Sequence, residues 1–231
     1  MSAFVEELKG LASTALRKEY IKNGASEKVL GIKYTYLQHY KKEFGKNYDY
    51  ALQLWETQIP EVQILACMLI PTNKLNVDLI ESWNKDIDFY LLSDAFIGNV
   101  LTPYKGSLSL ANKWIDSKEE YTLRHAYSIL FMLAKENGFM KEEVFAKYLD
   151  KIRANISNAP NRAKETMLYT LLNIGRRSKM LNEQAIAAME EIGEVRIDHG
   201  TTGGITPDVL SILKIVKKTE GYIFYAPGDM L

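Results

Sequence analysis

Apolar residues recur at helical spacing along almost the whole chain, and this pattern restricts the possible folds more than any other feature of the sequence. Between residues 121 and 133, for example, Leu123, Ala126 and Leu130 lie on one broad stripe of a helix. Comparable stripes occupy residues 2–22, 50–70, 76–100, 141–156, 160–175 and 182–192. Strand-like alternation is brief and is confined to residues 194–198 and 222–225. The sequence therefore predicts an all-α fold of helices about 12 to 20 residues long, joined by short turns.

An internal similarity indicates how the helices are arranged. The segment from Trp55 to Ala66 resembles the segment from Trp114 to Ala126, with one extra residue in the second copy. Paired helices that repeat along a chain are typical of α-solenoids, in which each pair packs mainly on its neighbours. We therefore expect an α-solenoid, or superhelix, of antiparallel helix pairs, with a compact helical bundle as the alternative.

Charge is distributed in blocks, although the 29 basic and 29 acidic residues give a net charge of zero. Residues 1–46 carry a net charge of +4 and residues 151–180 carry +6, whereas residues 47–100 carry −6. A neutral protein can still bind phosphate groups if the fold brings basic segments onto one face, because salt screens charges beyond about 8–10 Å. The alternative is that these lysines and arginines are scattered and solvated.

The sequence lacks the common motifs of metal and cofactor sites. Its single cysteine, Cys67, lies in an apolar run, and His39, His125 and His199 share no short ligand spacing. The glycine-rich segment 198–208 lacks the Gly-Lys-Ser/Thr ending of a phosphate-binding loop, so we interpret it as a structured loop before a capped C-terminal helix. We expect no metal and no cofactor.

Composition also bears on the cellular compartment. One cysteine cannot form an internal disulfide, which fits a reducing environment. The first residues carry acids where a secretory signal needs cations, and no apolar run reaches the roughly 18 to 20 residues of a membrane helix. We expect a cytoplasmic protein with no membrane partner, and a monomer.

An aromatic residue and a carboxylate stand one helical turn apart in the segment 79–96. Tyr90 and Asp94 are at positions i and i+4, so they share one face of a helix. The pair alone is also compatible with ordinary packing beside a solvated charge.

Several motifs together resemble the DNA alkylation repair family, the HEAT-like helical-repeat DNA glycosylases. The resemblance extends over roughly residues 10–215. Its motifs are Gly31-Ile32-Lys33 with Leu37, Leu54-Trp55 with Glu61 and Ala66, the segments 89–94 and 121–126, Trp114 with Ser117, and the segments 174–177 and 198–200. The resemblance implies that residues 1–231 form one HEAT-like repeat domain with a C-terminal tail at 221–231.

The resemblance implies hydrolysis of the N-glycosidic bond of cationic alkylated purines, N3-methyladenine and N7-methylguanine, in double-stranded DNA without base flipping. Alkylation already makes the base a good leaving group, so the enzyme has to stabilise an oxocarbenium-like sugar and position water. Asp94 matches the carboxylate of the family for this role. Tyr90 matches an aromatic residue that contacts the lesion backbone, and Arg124 matches an arginine that can hold a phosphate.

Further positions concern DNA binding. Arg176, Arg177 and Lys179 in the second basic segment are expected to contact phosphates, and Lys33 to extend that track. Asn173 falls where the family has a second aromatic residue of the site, and Tyr90 replaces a tryptophan. The loss of the aromatic residue at Asn173 motivates an alternative, a catalytically silent module that binds branched or damaged DNA. A protein-binding scaffold is a further alternative.

Overall fold

The computed structural model describes residues 2–136 and 140–223, and over these residues the regular structure is entirely helical. The helices are α1 Ser2–Gly10, α2 Thr14–Lys22, α3 Tyr34–Phe44, α4 Tyr48–Trp55, α5 Pro60–Leu69, α6 Val77–Lys85, α7 Tyr90–Phe96, α8 Ser107–Trp114, α9 Glu120–Glu136, α10 Glu142–Asn155, α11 Asn161–Gly175, α12 Lys179–Ile192 and α13 Val209–Thr219. The all-α prediction is confirmed. Residues 194–198 are irregular, and residues 224 and 225 of the second strand-like segment, like the rest of the tail to 231, lie outside the described residues.

Several helices are shorter than the apolar stripes predicted, because local signals divide those stripes. The stripe 2–22 breaks before α2, where the Ser13 hydroxyl accepts a hydrogen bond from the Leu16 amide at 3.3 Å and so caps the helix. The stripe 50–70 breaks between α4 and α5, where Gln58 has a positive φ of 53° and Pro60 occupies the first helical turn. Each long stripe thus becomes a pair of helices.

The internal similarity of the sequence corresponds to a repeated structural unit. Trp55 is the last residue of the 8-residue helix α4, and Trp114 is the last residue of the 8-residue helix α8. In both copies the helix that follows carries the matching alanine, Ala66 on α5 and Ala126 on α9, and both alanines are fully buried. The similarity therefore marks two helix–turn–helix pairs.

The chain divides into two compact units. Unit 1 contains residues up to 107 together with 199–204, and unit 2 contains residues 108–198 together with the described residues from 205 onward. In unit 1, α5 is the central helix: all ten of its residues are buried, and it packs on α3, α4 and α7. Trp55 and Trp83 stack beside it with their rings 4.1 Å apart and parallel within 2°.

Unit 2 is built around α9 and α11, which pack on each other, while α12 packs on α10, α11 and α13. The last residue of α11, Gly175, permits a close approach: a Cβ there would lie 2.5 Å from the Leu213 side chain and 2.7 Å from the Ala185 side chain. At the described end of the chain, the Ile223 amide donates a hydrogen bond to the Arg176 carbonyl at 2.7 Å. The first residues of the predicted tail therefore lie against unit 2.

Candidate nucleic-acid interface

The predicted catalytic carboxylate, Asp94, lies exposed at the edge of an open cleft in unit 1. The cleft has a volume of about 390 Å³ and is lined by Tyr34, Leu91, Asp94, Ala95, Gly98 and Asn99. It is therefore formed by the N-terminus of α3, by α7 and by the residues that follow α7. A sugar or a base can approach the carboxylate from solvent.

The sequence of α7 fixes the side on which Asp94 emerges. Leu92, Ser93 and Phe96 are fully buried, so the helix is anchored on its other faces and Asp94 is left on the solvent side. Immediately after α7 the chain forms a π-helical turn over Ile97–Leu101. The side-chain amide of Asn99 donates a hydrogen bond to the Ala95 backbone carbonyl at 2.8 Å. Turns of this type occur frequently at functional sites, and here the turn brings Gly98 and Asn99 into the cleft wall.

Tyr90 lies one turn before Asp94 and is half-buried. Its ring packs edge-on against Phe89, with the ring centres 4.9 Å apart, and Phe89 in turn contacts the Tyr20 ring at 5.4 Å. Burial first, and then the charges of Glu61 and Tyr90, raise the pKa of Tyr20 to about 12. Tyr90 thus belongs to an aromatic cluster that supports the start of α7.

A buried carboxylate shapes the loop that leads into the cleft. Glu61 on α5 is 1% exposed and accepts hydrogen bonds from the backbone amides of Leu30, Gly31 and Ile32 at 2.6 to 3.1 Å. Gly31 has a φ of +86°, and a Cβ there would lie 2.3 Å from the Ser13 carbonyl oxygen, so only glycine fits. The hydrogen bonds of Glu61 and the φ of Gly31 therefore explain structurally why the family motifs include both positions.

This loop ends at Lys33, the residue before α3, and sets the position of Tyr34. Lys33 is exposed and forms no ion pair within the described part of the chain. Tyr34, whose side chain is 39% exposed, forms part of the cleft wall beside Asp94. Sequence reasoning did not single out Tyr34. The available signal was the pattern of α3, in which Leu37 and Tyr40 mark the buried face and leave Tyr34 outside it.

The other predicted site residues lie in unit 2. Arg124 is half-buried on α9 and is followed by His125, which is fully buried. Burial, and secondarily the Arg124 charge, hold the pKa of His125 well below its usual range. His125 is therefore a neutral core residue. Asn173, where the family resemblance leads us to expect an aromatic residue, is only 9% exposed on α11.

Arg177 requires a correction. Its side chain is 7% exposed, one guanidinium nitrogen donates a hydrogen bond to the Ala134 carbonyl at 2.5 Å, and the group lies over the Phe145 ring at 4.2 Å. A guanidinium held between a carbonyl and a ring stabilises the packing of unit 2 and is not accessible to a phosphate. The prediction that Arg177 contacts DNA is therefore wrong in this structure.

Two basic neighbours of Arg177 are more accessible to solvent than Arg177 is. Lys179 is exposed at the first residue of α12, and Arg176 is half-buried; neither forms an ion pair within residues 2–136 and 140–223. Other basic residues of the segment 151–180 pair with carboxylates: Lys151 with Asp116, Arg153 with Asp150 and Glu191, and Arg162 with Glu165. Only part of the positive charge counted in this segment is therefore available to a ligand.

In the described parts of the chain, no three His, Cys, Asp or Glu side chains lie close enough together to bind one metal ion. Cys67 is fully buried, and burial raises the pKa of its thiol. Among the described helices, none has the length and apolar character needed to cross a membrane.

Comparisons with known proteins identify the family. Residues 4–200 match the family model described as DNA alkylation repair enzyme. The chain belongs to the DNA alkylation repair enzyme family. Similar proteins are the uncharacterised proteins Lin0241 of Listeria innocua and Lmo0209 of Listeria monocytogenes, which are 23% and 22% identical to this chain over 175 residues. Each alignment covers 75% of this chain and 76% of the relative.

A solved structure confirms the repeat architecture. It is described as "a new family of proteins related to the HEAT-like repeat DNA glycosylases with affinity for branched DNA structures". It is similar to this chain with a TM-score of 0.78 at 21% identity, and the match covers 96% of each chain. This family member therefore has the HEAT-like helical-repeat fold, as predicted, and is not an unrelated helical bundle.

Proposed function

We propose that this member of the DNA alkylation repair enzyme family is a DNA glycosylase that removes cationic alkylated purines from double-stranded DNA. The observation that carries the proposal is the exposed Asp94 carboxylate at the edge of an open cleft. An N3-methyladenine or N7-methylguanine carries positive charge and leaves without a general acid. The enzyme then has to stabilise the positive charge that develops on the deoxyribose, and a fixed carboxylate can supply that stabilisation.

Each of the three predicted catalytic residues has its own role in this reaction. Asp94 faces the sugar and orients the attacking water. Tyr90 supports the start of α7 through its contact with Phe89 and contacts the lesion backbone. Arg124 holds a phosphate with its guanidinium. The chemistry requires no metal or cofactor, because the alkylated base is itself the activated leaving group.

Base release measures this function directly. Alkylated duplex DNA is incubated with the wild-type protein, with Asp94→Asn and with Asp78→Asn, and free methylated purines are quantified. Asp78 is a matched control, an exposed aspartate of unit 1 that does not line the cleft. We expect Asp94→Asn to slow release by about 100-fold or more and Asp78→Asn to have no effect. Equal release by wild type and Asp94→Asn would reject the role of Asp94, and no release by wild type would reject the enzyme.

A second candidate function is binding of branched DNA without base excision. It is favoured by Asn173, an amide largely buried at the position where the family resemblance leads us to expect an aromatic residue. The affinity for branched DNA described for the structural neighbour is in line with it. This candidate predicts salt-sensitive binding to a four-way junction by wild type together with no release of methylated base, because phosphate contacts make affinity fall steeply with salt.

A further inference from the structure

Helix α3 presents two exposed tyrosines on different flanks. Tyr34 and Tyr36 have the same exposure, 39%, and Leu37 and Tyr40 anchor the helix in the core of unit 1. Residues two positions apart on a helix point in different directions, whereas residues at i, i+4 and i+7 follow one flank. The two flanks can therefore be compared as surfaces for a ligand.

The Tyr34 flank leads from the Asp94 cleft to a group of lysines. Gln38 and Lys41 follow Tyr34 along it, and both are exposed. Within the described residues, Lys41 forms no ion pair with a carboxylate. The next residue, Lys42, is also exposed, and both lysines stand in the last turn of α3. Lys41 and Lys42 thus place positive charge at the end of α3 that is remote from the cleft.

The Tyr36 flank has the opposite character. Seven residues after Tyr36 stands Glu43, which lies 3.8 Å from the His39 imidazole. Tyr36 is not part of the cleft wall. A phosphate backbone that followed this flank would meet a carboxylate, so the charge favours the Tyr34 flank for a nucleic acid.

The backbone that leads to Tyr34 is held in place by hydrogen bonds within unit 1. Glu61 holds the amides of the loop that ends at Lys33, and the Tyr20 hydroxyl donates a hydrogen bond to the Ile32 carbonyl at 3.1 Å. Because the backbone that carries Tyr34 is already held, binding orders only the side chain, and base–aromatic stacking is worth about 1–3 kcal/mol per base.

From these observations we infer that α3 is the track of one DNA strand leaving the Asp94 cleft, with the Tyr34 ring stacking on an unpaired base. The inference rests on the proposed binding of DNA at this cleft and names the part of the substrate that Tyr34 recognises. Gln38 and Lys41 contact the backbone farther along. From Tyr34 to Lys41 the helix rises about 10 Å, which equals about three base steps. A gap, or a branch point that leaves nucleotides unpaired, supplies this base, whereas a continuous duplex keeps its base faces stacked.

Binding measurements with three DNAs test this inference. The DNAs are a continuous duplex, a three-way junction with unpaired nucleotides at its branch point, and a single strand. Each is titrated with wild type, Tyr34→Ala, Tyr34→Phe and the matched control Tyr36→Ala. We expect Tyr34→Ala to weaken binding to the junction and the single strand by about 10-fold, within the range of one lost base stack. Tyr34→Phe keeps the ring and the affinity, and Tyr36→Ala binds like wild type. Circular dichroism confirms that each variant is folded.

The salt dependence of DNA affinity distinguishes the contribution of the Tyr34 ring from that of the Lys41 charge. Tyr34→Ala leaves the slope of log affinity against log salt unchanged, since a ring releases no counterion, whereas Lys41→Gln reduces its magnitude by about 0.7 on the single strand. Equal losses with Tyr34→Ala and Tyr36→Ala, or an equal loss on all three DNAs, would overturn the role of Tyr34 while leaving DNA binding intact. A wild-type protein that binds none of the DNAs would overturn the proposed function as well.

Discussion

The two units bury charged groups in different ways, and the difference shows how a surface can be read from a sequence. In unit 1, Glu61 is buried, but its hydrogen bonds to the Leu30–Ile32 amides shape a loop that reaches the surface at the cleft. In unit 2, Arg177 is buried against the Ala134 carbonyl and the Phe145 ring, and its charge is not available at the surface. The buried Glu61 shapes a loop at the candidate site, whereas the burial of Arg177 makes its guanidinium unavailable to a DNA phosphate.

The same difference appears in the remaining surface charge. In unit 1, seven of the eight lysines of the first basic segment form no ion pair within the described residues: Lys18, Lys22, Lys28, Lys33, Lys41, Lys42 and Lys46. In the segment 151–180 of unit 2, Arg177 is buried and several other basic residues pair with carboxylates. The net charge of a segment therefore overstates what unit 2 can offer to DNA.

The largest effect should come from removing the buried carboxylate of unit 1. Glu61→Ala leaves the buried amides of Gly31 and Ile32 without an acceptor, and we expect it to lower the free energy of unfolding by about 4 kcal/mol. Urea denaturation followed by circular dichroism measures this change. Glu61→Gln, which keeps one acceptor oxygen, should cost about half as much.

The control for this experiment is Glu56→Ala, which removes an exposed glutamate near the same helix pair. It should change stability by less than about 0.5 kcal/mol. If Glu61→Ala were no more destabilising than Glu56→Ala, the loop before α3 would not depend on the carboxylate, and the contrast between the units would disappear.

The second prediction concerns Arg177 and its exposed neighbour Lys179. Arg177→Ala removes a hydrogen bond to the Ala134 carbonyl and the contact with the Phe145 ring, and we expect it to destabilise the protein by about 2–3 kcal/mol. Lys179→Ala should leave stability within about 0.5 kcal/mol of wild type. Thermal or urea unfolding of the two variants compares them directly.

For DNA binding we expect the reverse order, with a larger effect for Lys179→Ala than for Arg177→Ala. Lys179→Ala should reduce the magnitude of the salt slope for duplex binding by about 0.9, as expected for one lost phosphate contact. Arg177→Ala, measured where it is fully folded, should leave that slope unchanged. A reduced slope for Arg177→Ala would show that its charge reaches DNA after all and would restore the original prediction.

The sequence predicted the fold class well because helical periodicity and the tryptophan-to-alanine spacing are local signals. It predicted helix ends less well, since these depend on single capping contacts such as Ser13 with Leu16 and on the positive φ of Gln58. The division of one apolar stripe into α4 and α5 is visible in sequence only through Pro60, whose place in the first turn of a helix is common.

For the candidate site, the sequence shows which residues share one helix, but it does not show which residues tertiary structure brings together. Tyr90 and Asp94 share α7, so their spacing was readable. Tyr34 reaches the same cleft only because a loop held by Glu61 carries the chain there, over contacts about thirty residues apart in sequence. Arg177 looked like its exposed neighbours, and nothing local distinguishes an arginine that turns inward over a ring.

The smallest predicted effect concerns the buried imidazole of unit 2. His125 is fully buried, and burial first and the Arg124 charge second hold its pKa well below its usual range. The unfolded chain therefore binds a proton near pH 6.5 that the folded chain does not bind. The free energy of unfolding therefore rises with pH. The contribution of neutral His125 to stability is complete above about pH 6.5 and is lost as the pH falls below about 6.5.

Between pH 7.5 and pH 5.5 this single group should lower the free energy of unfolding by about 1.4 kcal/mol. Urea denaturation at both pH values should show that His125→Gln removes this part of the pH dependence. His39→Gln, which alters an exposed histidine of unit 1, should leave it in place. If the two variants had the same pH dependence, His125 would bind its proton equally well in the folded and unfolded protein, and burial would not set its protonation state.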